Sequence, residues 1–209
     1  MSDFNHAILT ETAHRPWPMP EGPWLMSQTW NDLLFAHWPV AKDRLRELVP
    51  PPFELDLFDG EAWLAVVPFT MTNVVPRFVP ALPWISAFPE LNVRTYVRAG
   101  DKPGVFFFSL DAGNAVAVGA ARALLNLPYF RADMKVTADD TVNYSSRRLA
   151  GAAEFRARFR ARGNLRTPAP GSLEYFLTER YCLYAVDHQA RPYRLDIQAI
   201  GKSGNRVIG

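Results

Sequence analysis

Lysine is scarce in this chain of 209 residues: Lys42, Lys102, Lys135 and Lys202 are the only four, whereas arginine occurs nineteen times. A mechanism built on an amine nucleophile must choose among them. Cysteine occurs once, at Cys182, which excludes a disulfide framework within the chain and fits a reducing compartment. The four histidines, His6, His14, His37 and His188, are scattered, so no Cys/His cluster suggests a structural metal. No apolar run approaches the ~18 residues that span a bilayer, and the start, MSDFNHAILTETAHRPWPMP, has no cationic stretch followed by an apolar block. The expected location is the cytoplasm, with no membrane partner. A formal charge of +2 is too balanced to make nucleic acid the default partner. Phosphate-cradling glycine loops are absent too, since Gly113 and Gly119 lack dinucleotide spacing, and no cofactor is expected. No GxSxG elbow occurs, and Ser109, Ser145, Ser146 and Ser172 have no histidine nearby in the chain.

What is present is a core-building composition: 48% of residues are hydrophobic and 21% charged. Residues 1–25 read as an extended arm, because Pro16, Pro18, Pro20 and Pro23 disfavour helix, with Trp17 and Trp24 expected to pin it. Residues 26–198 form one α+β domain, mostly antiparallel, and residues 199–209 a flexible, polar tail. A strand through LLFAHW leads to a short helix opened by Pro39, with Val40, Leu45, Leu48 and Val49 near one face. FELDLF and EAWLAVVPF form a hairpin about Asp59-Gly60, whose residues tolerate positive dihedrals. The proline-spaced apolar loop 73–89 reads as a flap over an opening in the sheet, or alternatively as plain surface packing. VFFFSLD, apolar on both faces, reads as a central strand. Asn114 caps an all-round apolar helix that must be largely buried, and Pro128 stops it. Further strands are expected in YFRADMKV, TVNYSS, EFRARFRAR, CLYAVD and YRLDIQ, with a helix in LEYFLTERY.

The best chemical constellation lies in ELNVRTYVR. There Glu90, Asn92, Arg94, Tyr96 and Arg98 share one strand face, and Val93, Thr95 and Val97 the other. A carboxyl group two residues from an amide and four from a guanidinium can hold a small carboxylate or carbonyl compound: arginine offers a fork, and glutamate gives or takes a proton. The competing reading is the solvent face of a half-exposed sheet. The arginine strand at 156–162 has a positive local field, but Phe155 and Phe159 point away from the arginine face. Stacking of single-stranded bases is therefore disfavoured, and a charged, aggregation-resistant edge is the simpler account. Cys182, between Tyr181 and Leu183, reads as a buried structural thiol, and His37 as a hydrogen-bonded core or rim residue.

The runs MSQTWNDLLFAHWPV, FPELNVRTYV, GVFFFSLDA, LPYFRADM and GSLEYFLTERYCLY resemble, in order, those of the YqjF-like proteins, a bacterial family of unknown function. That family is grouped with the acetoacetate decarboxylase-like fold. The resemblance implies a bent, mostly antiparallel sheet closing into a barrel or cone, with a few packed helices and a pocket inside. In those decarboxylases a lysine forms a Schiff base with a β-keto acid, and a neighbouring lysine lowers its pKa. Here Tyr129 and Phe130 stand at that position, and neither can form an imine. The arginine near the start of the fold is matched by Asn31, the acidic residue by Glu90. Lys135 shares a strand face with Tyr129, but Asp133 lies there too and raises an amine's pKa.

The expectation is thus a pocket for a small organic acid or carbonyl compound without imine chemistry. Glu90 is the catalytic candidate; Arg94, Tyr129, Asn92 and Asn31 are the binding candidates. The alternative is a non-catalytic binding or regulatory module, and a homo-oligomer is compatible with either.

Overall fold

The computed structural model of the protein describes residues 9–77, 86–162, 167–200 and 206–208. Strands take up about half of these residues, far more than helices do. In chain order the elements are β1 (Met26–Asn31), β2 (Ala36–Val40), α1 (Lys42–Arg46), β3 (Glu54–Leu55), β4 (Ala62–Pro76), β5 (Phe88–Ala99), β6 (Lys102–Ala112) and α2 (Ala115–Leu125). They continue with β7 (Tyr129–Ala138), β8 (Val142–Arg148), β9 (Glu154–Phe159), α3 (Leu173–Thr178), β10 (Cys182–Val186), β11 (Pro192–Asp196), β12 (Ala199–Ile200) and β13 (Arg206–Ile208). Among the described residues, no helix is long and apolar enough to cross a membrane.

The sheet runs in the order β12-β13-β1-β4-β5-β6-β7-β8-β9, with β2 on β4, β3 on β5, and the β10–β11 hairpin on β6. It does not close into the expected barrel or cone, because its end strands β12 and β9 do not pair with each other. Closure requires one continuous stagger around all strands. Instead the long strands β4, β5 and β6 each take different neighbours along their length, so the sheet branches rather than rolls up. Most ladders are antiparallel, as expected, but β6 pairs in parallel with both β7 and β10. The β6–β7 ladder holds only three residue pairs, Leu110–Tyr129 to Ala112–Arg131. The β7–β8–β9 ribbon therefore joins the rest of the sheet through a short ladder, and Tyr144 of β8 packs back against β4 and β5.

Local chemistry accounts for most element boundaries. Asn114 accepts hydrogen bonds from the Val116 and Ala117 amides at 3.0 and 3.1 Å, capping α2, and Asn126 ends it in the left-handed conformation at φ 42°. That helix buries one side only: Val118 is enclosed while Val116 is open to solvent, so its apolar sequence overstates its burial. Ser172 caps α3 through the Tyr175 amide. Asp59 and Gly60 take the positive φ values of the expected turn, but β3 pairs with β5 rather than with β4. Asp32, at φ 51°, splits the single strand expected through LLFAHW into β1 and β2, and Pro39 lies within β2 rather than opening α1.

Arg15 ties down the described part of the N-terminal arm, its Nη1 donating to the Ile197 carbonyl and to Gln198 Oε1, both at 2.6 Å, and the Trp24 ring centroid lies 5.7 Å from the Arg77 guanidinium carbon. Parts of the expected tail form β12 and β13, and β13 pairs with β1. Residues 78–85 of the expected flap lie outside the described residues.

Two apolar clusters occupy opposite faces of the central strands. The larger gathers Trp30, Phe69, Met71, Tyr96, Phe107 and Leu110 with Val118 of α2 and Leu177 of α3. The smaller gathers Val49, Phe53, Val97, Cys182 and Tyr184. In the smaller cluster β10 approaches β6 closely at Gly104. A Cβ there would stand 2.7 Å from Cys182 Sγ and 2.8 Å from the Cys182 carbonyl oxygen. Gly104→Ala is expected to lower unfolding stability by about 1–3 kcal/mol, since backbone blocks relaxation. Urea denaturation checks this, and an unchanged midpoint would show that β10 shifts freely.

Candidate ligand site on the central strand

Strand β5 sits between β4 and β6, and its register decides what surrounds each side chain. Glu90 pairs with Phe69 and Ala112, Asn92 with Val67 and Leu110, and Arg94 with Ala65 and Phe107. Those neighbours all belong to the larger apolar cluster. The polar stripe therefore faces the interior and not solvent: Glu90, Asn92, Arg94 and Tyr96 are exposed by 2%, 1%, 5% and 0%. Arg98, at the strand's end, lies beyond the stripe and pairs with Asp56 at 3.2 Å.

Four polar side chains inside an apolar cluster need a physical account, because burial penalises an ion unless it is paired or neutralised. For Glu90 the answer is neutralisation. Burial pushes its pKa from 4.5 to about 8; hydrogen bonding from Tyr129 and the nearby Asn92 amide offset part of that rise, while Asp111 adds to it. At neutral pH the carboxyl is thus largely protonated. The Tyr129 hydroxyl donates to Glu90 Oε2 at 2.9 Å. Burial and then the neighbouring Glu90 hold the Tyr129 phenol far above its ordinary pKa, so it remains a donor.

Tyr144, reaching in from β8, donates to the Glu90 and Phe69 carbonyls at 2.7 and 3.2 Å and clamps the backbone beneath the acid. The Asn92 amide lies close enough to Glu90 to offset part of the rise in its pKa, yet neither of its polar atoms completes a hydrogen bond of good geometry among the described residues. A buried amide without a partner costs free energy, so a polar ligand atom is a fitting partner.

Arg94 belongs to a second group, roughly 13 Å along the strand from Glu90 at the Cα atoms. Its guanidinium carbon stands 5.2 Å from the Phe35 ring centroid. Beside it His37 Nε2 lies 2.7 Å from the Tyr96 hydroxyl, which itself donates to the Leu177 carbonyl at 2.8 Å. Burial, then the Arg94 charge, lower the His37 pKa to about 4, so this imidazole is neutral at physiological pH. His37 is thus the hydrogen-bonded residue that the sequence suggested. Arg180 closes this end, stacked over the Tyr96 and Phe176 rings and paired with Asp56 at 2.6 Å.

The structure brings together Glu90, Asn92 and Tyr129, and puts Arg94 farther along the same face. Asn31 is not brought to them. It pairs with Thr70, on the face opposite Phe69 and Met71, and its amide donates to the Thr70 carbonyl and Thr72 Oγ1. Lys42 and Lys135 are exposed, and the Lys102 ammonium lies 2.5 Å from Asp196. Lys202 lies outside the described residues. Cys182 is buried, with its thiol pKa raised chiefly by burial. Sequence reasoning missed Tyr144 and Arg180, because each meets the stripe across more than fifty residues of chain.

Comparison with known proteins agrees with this architecture. The family DUF2071, described as an uncharacterized conserved protein, matches residues 27–199. The chain is 50% identical over 170 residues to the uncharacterized protein YqjF of Bacillus subtilis (strain 168), a stretch covering 80% of this chain and 70% of that protein. Among solved structures, the acetoacetate decarboxylase of Legionella pneumophila superposes with a TM-score of 0.56 at 16% identity, covering 93% of this chain and 78% of that one. The enduracididine biosynthesis enzyme MppR complexed with pyruvate gives 0.57 at 11% identity, covering 90% and 86%. Likeness at such identities establishes the fold alone.

The raised pKa of Glu90 changes stability with pH in a definite direction. Between pH 4.5 and about 8 the folded protein holds a proton that the unfolded chain releases, so the Glu90 contribution to stability falls as pH rises through that window and then levels off. Glu90→Gln, which cannot ionise, should remove that part of the slope. Urea unfolding of both proteins at several pH values checks it; parallel curves would mean that Glu90 titrates normally.

Proposed function

The chain belongs to the DUF2071 family, and on that footing we propose that it binds a small carbonyl compound or organic acid on the interior face of β5 and activates it by acid chemistry without an imine. The observation that carries the reading is the neutral, buried Glu90 carboxyl, held by Tyr129 beside the unpartnered amide of Asn92. Glu90 would donate its proton to the carbonyl oxygen of the ligand as solvent water takes one from the α-carbon, giving the enol, and the Asn92 amide would complete the polar contact. Arg94, four residues along the same face, would favour an anionic ligand through its charge rather than grip it together with Glu90. A pocket on this face, and a cytoplasmic setting, are parts of the same proposal.

Two features support the choice of ligand class. Proteins of the same fold are described as an acetoacetate decarboxylase and as MppR complexed with pyruvate, so the fold accommodates small keto acids in those relatives. The polar groups here, an acid, an amide and a phenol with an arginine beyond, match a carbonyl oxygen and a carboxylate. Imine formation is not part of the proposal. Tyr129 and Phe130 begin β7, and the described lysines are exposed or paired with Asp196.

The test begins with a thermal-shift titration of pyruvate, acetoacetate and small aldehydes against the wild type, Glu90→Gln and Asn92→Leu. The expected result is a shift for at least one keto acid that both substitutions remove. The same compound should exchange its α-hydrogens with deuterated solvent faster in the presence of wild type than of Glu90→Gln. Binding without accelerated exchange would favour the alternative, a non-catalytic binding module, and equal behaviour of all three proteins would sink the reading. Borohydride treatment with acetoacetate should leave the intact mass unchanged, and a reduced adduct on any lysine would overturn the imine-free mechanism.

A further inference from the structure

Strand β9 ends the described sheet. It pairs through Glu154–Phe159 with β8 alone, and no described strand covers its other edge. Such an edge presents unpaired backbone donors and acceptors to any extended chain that fits beside it. Its two faces differ sharply. Phe155, Ala157 and Phe159 are half-buried on one, where Phe155 meets the Tyr144 ring edge-on, whereas Glu154, Arg156 and Arg158 are exposed on the other.

The charged face is wider than one strand. Across β7, β8 and β9 the register sets Lys135, Ser145 and Arg156 in one row and Asp133, Arg147 and Glu154 in the next. These six residues line a groove of about 450 Å³. Its two carboxylates are already engaged: Asp133 lies 3.4 Å from Arg147, and Glu154 lies 3.1 Å from Arg156. Lys135 and Arg158 make no ion pair among the described residues, so the net charge of the groove and its rim is positive.

We propose that β9 is a docking edge for an extended acidic segment of another polypeptide, which adds to the sheet as one more strand. An incoming strand lies about 4.8 Å from β9, with its side chains facing those of β9 at matching positions. Acidic residues at alternate positions meet Arg156 and Arg158, and apolar residues between them extend the face of Phe155, Ala157 and Phe159. Charge selects this occupant over others. A second copy in register through Ala157 sets Arg156 opposite Arg158, and one through Arg156 sets that guanidinium opposite itself. One through Phe155 uses Glu154 and Arg156, already paired within each copy, and leaves Arg158 opposite Ala152. A single-stranded nucleic acid finds the aromatic rings on the wrong face for stacking.

Fluorescence anisotropy with the full chain tests the proposal, using a labelled peptide that alternates valine and glutamate. The expected outcome is saturable binding that weakens with salt, at least roughly tenfold tighter than for the same peptide with lysine in place of glutamate. Arg156→Glu combined with Arg158→Glu should reverse that preference, and amide exchange in Glu154–Phe159 should slow only when the acidic peptide is bound. The lysine peptide provides a control that needs no altered protein. Equal binding of both peptides, unchanged exchange in β9, tighter binding of an oligouridylate of equal charge, or self-association that the peptide does not compete with would each overturn the assignment.

Discussion

An apolar sheet face cannot hold an ionised carboxylate at low cost, and the interior of this protein is arranged around that constraint. Glu90 lies between Phe69 and Ala112 in the register of three adjoining strands, where water cannot solvate a charge. Its carboxyl accordingly keeps its proton near neutral pH and takes the Tyr129 hydroxyl as a donor. Tyr144 then fastens the backbone below it to β4. Two elements distant in sequence, the start of β7 and the middle of β8, are thereby tied to the start of β5. The chemistry proposed for the site depends on the same constraint: a carboxyl that is neutral because it is buried is also one that can give its proton away.

Charge elsewhere is handled by pairing rather than neutralisation. Asp56 accepts Arg180 from the end of α3 and Arg98 from the end of β5, so one carboxylate joins three segments. Asp111 pairs with Arg148 at 2.7 Å, and Arg148 lies over the Phe130 ring, which strengthens the short join between β6 and β7. Buried pairs of this kind cost desolvation and return much of it only when the geometry is good. Their position at junctions, where strands change partners, suits interactions that select one arrangement over its neighbours.

Much of the fold was legible in the sequence because it rests on local rules. Alternation placed β5, β7 and β9, and capping by Asn114 marked the start of α2. The stripe of Glu90, Asn92, Arg94 and Tyr96 was correctly put on one face, but alternation is symmetric between a buried and an exposed face. Only packing reveals which it is. The closed barrel was an inference from kinship and not from residues, and the branching of β4, β5 and β6 overturned it. Asn31 illustrates the same limit: matching its place in a family pattern said nothing of which side of β1 it occupies, and it faces Thr70 instead of Glu90.

From the sequence by itself came the element order, the polar stripe, the shortage of lysine and the kinship, since these depend on residues near in the chain or on their identity. The tertiary structure alone decided that the stripe points inward, that Tyr129 reaches Glu90 while Arg94 sits apart with His37, and that the sheet stays open. Those outcomes depend on pairings between residues 39 to 84 positions apart, and on a burial energy that no local pattern encodes.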